Sequence, residues 1–166
     1  MISPSTENLP KIIESPAKIR FQDCDPFNHL NNSEYLNYLN NAREDQLLAN
    51  YGIDIYKMAA VEGKSWVTGS NQIAYLRPAW LMEDVMIQTR MLAFDGSSIK
   101  VEMQMRNADK SELKAIMWST FIHYNLANQK REHHEQKYLD LFEKIVHPVE
   151  ESSFEERVFS FKKIKL

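Results

Sequence analysis

The stretch "DCDPFNHLNNSEYLNYLNNARE", residues 23–44, crowds two acids, a proline, a histidine and several asparagines at the entrance to a helical pattern. Ser33 stands where an N-cap belongs, and from there to Tyr51 the apolar spacing is helical. Tyr35, Tyr38, Leu39, Ala42 and Ala49 approximate one face, while Asn37, Asn41, Glu44 and Asp45 fall elsewhere. Gly52 sits where a helix end commonly needs positive φ. The spacing therefore predicts a long helix over residues 33–51, with Tyr35, Leu39 and Ala42 turned toward the layer that covers it.

Working outward, "AKIRFQD" (17–23) reads as a short strand behind a flexible lead-in, residues 1–16. A short helix is expected in "IDIYKMAAVEG" (53–63), and "SWVTGSNQIAYLRP" (65–78) reads as a strand ended by Pro78. In "DVMIQTRMLAFDG" (84–96) the Asp95-Gly96 pair lies between two strand-like runs, a strong hairpin signal. "SIKVEMQMR" (98–106) alternates strictly: Ile99, Val101, Met103 and Met105 on one face, Lys100, Glu102, Gln104 and Arg106 on the other. "NADKS" (107–111) is a turn, and "ELKAIMWSTFIHYNL" (112–126) is a further strand. One helix preceding a run of antiparallel strands buries its apolar stripe only by lying across their sheet. Beyond residue 127 the character changes: "QKREHHEQKYLDLFEKI" (129–145) is a charged amphipathic helix and "RVFSFKKIKL" (157–166) is ambiguous. The expected organisation is a lead-in over 1–16, one domain over 17–127 and a partly helical extension over 128–166.

Composition narrows the class. A chain of 166 residues, 43% apolar and 26% charged, can bury one core of its own. Its net charge of −3 is small and its Lys and Arg are scattered, which argues against nucleic acid as a partner. The first sixteen residues hold no apolar run of the roughly 7–15 that a signal peptide needs, and nothing approaches the roughly 18 of a membrane span. The one cysteine, Cys24, excludes an internal disulfide. These features predict a soluble cytoplasmic domain.

Residues 17–127 resemble the hotdog-fold acyl-CoA thioesterases of the 4-hydroxybenzoyl-CoA thioesterase type. The resemblance rests on Asp25, His29, Asn31, Asn32, Tyr35, Leu36, Ala42 and Arg43 in the first block, and on Tyr75-Leu76-Arg77-Pro78 in a second. Many members carry glycine three residues after the aspartate; this chain has Asn28, and asparagine tolerates left-handed backbone angles. The resemblance implies an α+β hotdog fold, a long central helix wrapped by a curved antiparallel sheet. It also implies thioester hydrolysis on an acyl-CoA or acyl-carrier-protein substrate, without metal or cofactor, in a homodimer or homotetramer.

Thioester hydrolysis needs a nucleophile or base, a polariser for the carbonyl and a slot for the acyl group. Asp25 is the family's carboxylate by resemblance, acting as nucleophile or as general base on water. The start of the following helix offers backbone N–H groups to a developing oxyanion. His29 can orient water or Asp25, or bond the carbonyl. Asn31, Asn32 and Tyr35 are the expected substrate contacts, the asparagines also tying the turn together, while Asp23 reads as structural. Cys24 is a poor nucleophile, since flanking carboxylates raise a thiol pKa. "EHHE" (132–135) is read as a solvated helix face, because adjacent histidines point to different sides of a helix. Met103, Met105, Trp118 and Phe121 are read as core first and acyl-pocket lining second. Two other functions compete. A hydratase of the same superfamily would need a histidine five residues after the aspartate, whereas His29 follows Asp23 by six and Asp25 by four. A hotdog domain that binds an acyl thioester or small ligand without turnover is the non-enzymatic alternative.

Overall fold

The computed structural model describes residues 8–163. In chain order it contains β1 (Ile12–Lys18), α1 (Tyr35–Tyr51), α2 (Ile55–Glu62), β2 (Lys64–Tyr75), β3 (Asp84–Phe94), β4 (Ser98–Asn107), β5 (Leu113–Asn125), β6 (Lys130–Arg131), α3 (Gln136–Ile145) and α4 (Phe154–Lys163). The strands form one sheet in the order β1-β3-β4-β5-β2, each pair antiparallel, with β6 against the end of β5. The sheet curls around α1: the helix lies across the sheet, as the strand and helix order predicts, in the hotdog arrangement that the family resemblance implies.

Period-2 alternation decides which side chains meet the helix. Val85 and Ile87 of β3, Val101, Met103 and Met105 of β4, and Ala115 and Met117 of β5 form one buried cluster with Tyr35 and Leu39 of α1. Ala42 packs against that cluster, as the helical spacing predicts. The turns also follow local chemistry. Gly52 ends α1 at φ 67°, Gly63 ends α2 at φ 65°, and Asp54 caps α2 by accepting from the Lys57 N–H at 3.0 Å. At the β3–β4 hairpin the Asp95 Oδ1 accepts from the Ser97 and Ser98 N–H groups at 2.9 and 2.7 Å.

Four expectations change. The first strand spans Ile12–Lys18, not 17–23, and Phe21–Asp23 is a 3₁₀ turn. Pro16 is compatible with β1 because, among the described residues, β1 pairs only with β3, and an edge strand has no second ladder for the missing N–H to break. The lead-in is therefore ordered sheet from Ile12; the rest of that expectation, over residues 1–7, lies outside the described residues. Ser33 does not cap α1: Asn31 caps a 3₁₀ turn, Asn32–Glu34, that leads into it. The helix expected over 129–145 begins only at Gln136, since Lys130 and Arg131 pair with β5.

The fourth change concerns the outer face of the sheet. Glu102 and Gln104, on the polar side of the β4 alternation, are buried. The extension covers them, with Phe154 of α4 packing edge-on against Trp118. Trp118 thus belongs to the outer face and Phe121 to the inner one. The extension also supplies α3, whose Tyr138, Leu141, Phe142 and Ile145 close one end of the fold against Ile13, Tyr51, Met58 and Met91.

Candidate active site

The turn between β1 and α1 is built around Asp25. Its Oδ1 accepts from the backbone N–H of Phe27 at 2.9 Å and of His29 at 3.1 Å. Its own N–H donates to the His29 carbonyl at 2.8 Å. Asn28 takes φ 61°, the left-handed angle for which asparagine substitutes for glycine. With Oδ1 so held, no group among the described residues donates to Oδ2. The other acid of "DCD" has a different task. Asp23 Oδ2 accepts from the Tyr38 hydroxyl at 2.6 Å, and that hydroxyl accepts from the Arg20 N–H at 3.0 Å. Burial first, then the bond to Asp23, pushes the Tyr38 pKa up to about 12, so the phenol keeps its proton. Burial, with the neighbouring Asp23 and Asp25 charges, pushes the Cys24 thiol up, against a nucleophilic role.

Asp25, His29, Asn32 and Tyr35 line one open depression of about 230 Å³, together with Tyr75 and Arg77. His29 meets Asp25 through its backbone N–H; its imidazole packs edge-on against Trp80, with ring centroids 4.3 Å apart. Asn31 does not line the depression: its Oδ1 accepts from the Ser33 N–H and hydroxyl at 3.1 and 3.0 Å, which makes it a turn cap. Two donors at the helix entrance are thereby taken, since Glu34 N–H also donates to the Asn31 carbonyl at 2.9 Å. The Asn32 carbonyl is held by the Tyr75 hydroxyl at 3.1 Å, while its carboxamide has no partner among the described residues. Tyr35 is buried, accepts from the Ala79 N–H at 3.4 Å and meets Tyr75 edge-on at 5.1 Å.

Sequence reasoning missed a polar cluster farther along α1. Arg43 and Gln46 follow Tyr35 and Leu39 at helical spacing on the buried face. Arg43 Nη1 donates to Thr89 Oγ1 at 2.8 Å, and the Thr89 hydroxyl donates to Gln46 Oε1 at 2.5 Å. No described carboxylate pairs with Arg43, and burial draws its pKa down to about 10, opposed by the Tyr51 phenol. Arg43 also lines a cavity of about 140 Å³ with Leu47, Trp66, Val101 and Phe121, and no residue is common to that cavity and the Asp25 depression.

The "EHHE" segment is a loop, not a helix face, and His134 is buried in it. Its Nδ1 lies 3.0 Å from the Asp95 carbonyl and its Nε2 accepts from Trp66 Nε1 at 3.0 Å, which fixes the tautomer protonated at Nδ1. Among the described residues no cluster of three or more His, Cys, Asp or Glu side chains could hold a metal ion. No described helix is long and apolar enough to cross a membrane.

Residues 19–152 match the family model of the thioesterase-like superfamily. The chain belongs to that superfamily. The chain is 25% identical over 118 residues to the long-chain acyl-CoA thioesterase FadM of Escherichia coli K12, covering 71% of this chain and 87% of that one. The fold is matched by Slr0204, a 1,4-dihydroxy-2-naphthoyl-CoA thioesterase from Synechocystis, with a TM-score of 0.73 at 13% identity over 82% of this chain and 99% of that one. A further structural match is Staphylococcus aureus SAV2348, solved in complex with CoA, with a TM-score of 0.74 at 10% identity over 90% and 94% of the two chains.

Proposed function

We propose that the protein hydrolyses an acyl-CoA or acyl-carrier-protein thioester to free acid and thiol, with Asp25 as nucleophile or general base. The observation that carries this reading is the Asp25 carboxylate, one oxygen locked by two backbone donors and the other without a donor among the described residues, at the wall of a depression. As nucleophile, Oδ2 adds to the thioester carbonyl, the thiolate leaves, and water opens the resulting anhydride. As base, Asp25 takes a proton from a water that adds to the carbonyl, and that proton passes to the departing sulfur. The His29 imidazole and the Asn32 carboxamide are the polarisers we assign to the carbonyl oxygen, since the Asn31 turn uses the nearest backbone donors. Tyr35 and Tyr75 line the site with their rings. Membership of the superfamily and the likeness to FadM support the acyl-CoA class.

The catalytic unit we infer is a homodimer or homotetramer of chains in which residues 17–127 carry the chemistry and the extension that begins at residue 128 covers the sheet. The Asp25 depression is shallow in one chain, and among the described residues β2 pairs only with β5, which supports a second copy at that strand edge.

Thiol release from a panel of acyl-CoAs tests the reading. Asp25→Ala is expected to lower kcat by about 10²–10⁴, the usual range for a positioned acid–base group. Asp25→Asn, nearly isosteric, is expected to lose as much while keeping the fold. Asp23→Asn is expected to lower Tm more than rate, since its bond to Tyr38 holds the turn. Near-normal turnover in Asp25→Asn would sink the assignment. Ligand binding without release in the wild type would favour a non-catalytic module.

A further inference from the structure

Leu76 and Arg77, just past β2, form a thin partition at one end of the sheet. On one side lies the Asp25 depression; on the other lies a cleft of about 370 Å³, and both residues line both spaces. The rest of that cleft comes from the β4–β5 turn region, with Arg106 and Leu113, and from the end of α4, with Phe161 and Lys162. Its size falls within the roughly 300–1,000 Å³ typical of small-molecule sites.

The charge in the cleft is one-sided. Arg77, Arg106 and Lys162 contribute three cations. Among the described residues Glu112 is the one carboxylate of the lining, and it is already bridged to Lys114 at 3.1 Å. Arg106 spends its donors on neutral acceptors, Gln104 Oε1 at 2.9 Å and the Lys110 carbonyl at 3.2 Å, and lies over the Phe161 ring at 5.8 Å. Arg77 and Lys162 are exposed and make no ion pair among the described residues. Beneath these cations, Leu76, Leu113 and Phe161 supply an apolar floor. Cations on a rim over an apolar floor suit a ligand with a flat ring and several phosphates, because guanidinium and ammonium groups form their strongest bonds with phosphate oxygens.

We propose that this cleft holds the 3′-phosphoadenosine diphosphate end of CoA, a step that rests on the thioester reading of the Asp25 site. The adenine lies on Leu76, Leu113 and Phe161, and the phosphates face Arg77, Arg106 and Lys162. The pantetheine arm then crosses the partition at Arg77 and delivers the thioester to Asp25. CoA is thereby favoured over a carrier protein: a carrier's arm ends in one phosphodiester on a folded domain, which has no nucleotide to place in the cleft. The helical extension becomes part of the substrate site.

The test is calorimetric titration of the full chain with adenosine 3′,5′-bisphosphate, which carries no thioester. Binding is expected to weaken as salt rises from roughly 50 to 300 mM, as screening shortens the reach of the cleft charges. Lys162→Gln, at an exposed helix end where the fold is not at risk, is expected to weaken it about fivefold, and Arg106→Gln about tenfold. In parallel, the ratio of kcat/KM for acyl-CoA over the matching acyl-pantetheine is expected to exceed one and to fall toward one in both variants. No nucleotide binding, or equal binding in wild type and both variants, would overturn the proposal; so would an unchanged ratio. Binding that the variants lose, in a protein that releases no thiol, would retain the nucleotide site and refute the Asp25 chemistry instead.

Discussion

Removing Arg157 isolates the contact that fastens the extension to the sheet. The Glu102 carboxylate side chain is 0% exposed and that of Arg157 13%. Glu102 accepts from Arg157 Nε at 2.8 Å and Nη2 at 3.0 Å, from Trp118 Nε1 at 2.9 Å and from Gln104 Nε2 at 2.7 Å. Burial alone would push its pKa up, but the bonds from Arg157 and Trp118 outweigh it and hold the group below its ordinary value. Breaking a buried pair from one side typically costs about 3–5 kcal/mol, because the surviving charge stays buried. Arg90, 3.5 Å away, and the two neutral donors remain in Arg157→Ala, so the low end, about 3 kcal/mol, is expected. For a chain of this size that corresponds to a Tm drop of about 6–12 °C. Thermal unfolding by circular dichroism measures it, and limited proteolysis reports whether α4 loosens first. Replacing both partners, Glu102→Met with Arg157→Met, removes the buried carboxylate but strands Arg90, 3.5 Å from Glu102 and 16% exposed, so part of the cost is expected to remain. A Tm drop under about 2 °C for Arg157→Ala, less than 1 kcal/mol at this size, would refute the reasoning.

Acidification is expected to destabilise the protein through His134. Burial holds its pKa below the ordinary 6.5, and its two bonds fit only the neutral ring. The unfolded chain therefore takes up this proton first as pH falls. The stability it contributes is complete above about pH 6.5 and declines below it until the folded pKa is passed. Urea unfolding at a series of pH values reads the slope, which His134→Gln is expected to reduce; an unchanged slope would exclude His134 as its source. At Asn28, φ 61° predicts that Asn28→Ala costs about 1 kcal/mol while Asn28→Gly is nearly neutral. Equal Tm values for the Ala and Gly variants would show that the turn does not need the left-handed angle.

Local patterns in the sequence were enough for a long helix ahead of a run of antiparallel strands, the hairpin at Asp95, the helix end at Gly52 and the carboxylate turn at Asp25. Each depends on residues within a few positions of one another: alternation, a left-handed glycine, a side chain bonding its own backbone two residues on. The gathering of His29, Asn32 and Tyr35 beside Asp25 was legible for the same reason, since one turn and the first turn of α1 carry them all. What only the tertiary structure decided is which polar residues are buried. Arg43 enters the sequence reading only as a residue of the family block; that it is buried is decided by Thr89, 46 residues away, which accepts from it beneath the sheet. Glu102 belongs to the polar half of an alternating strand until Arg157, 55 residues later, covers it. His134 reads as solvated until Trp66 reaches it from 68 residues upstream. Even β1 is misplaced by sequence, because Pro16 ends most strands and is compatible with this one only at a sheet edge. Periodicity along a chain records the first layer that packs on an element; a second layer arriving from distant sequence leaves no period to read, and it converts polar residues into paired, buried ones.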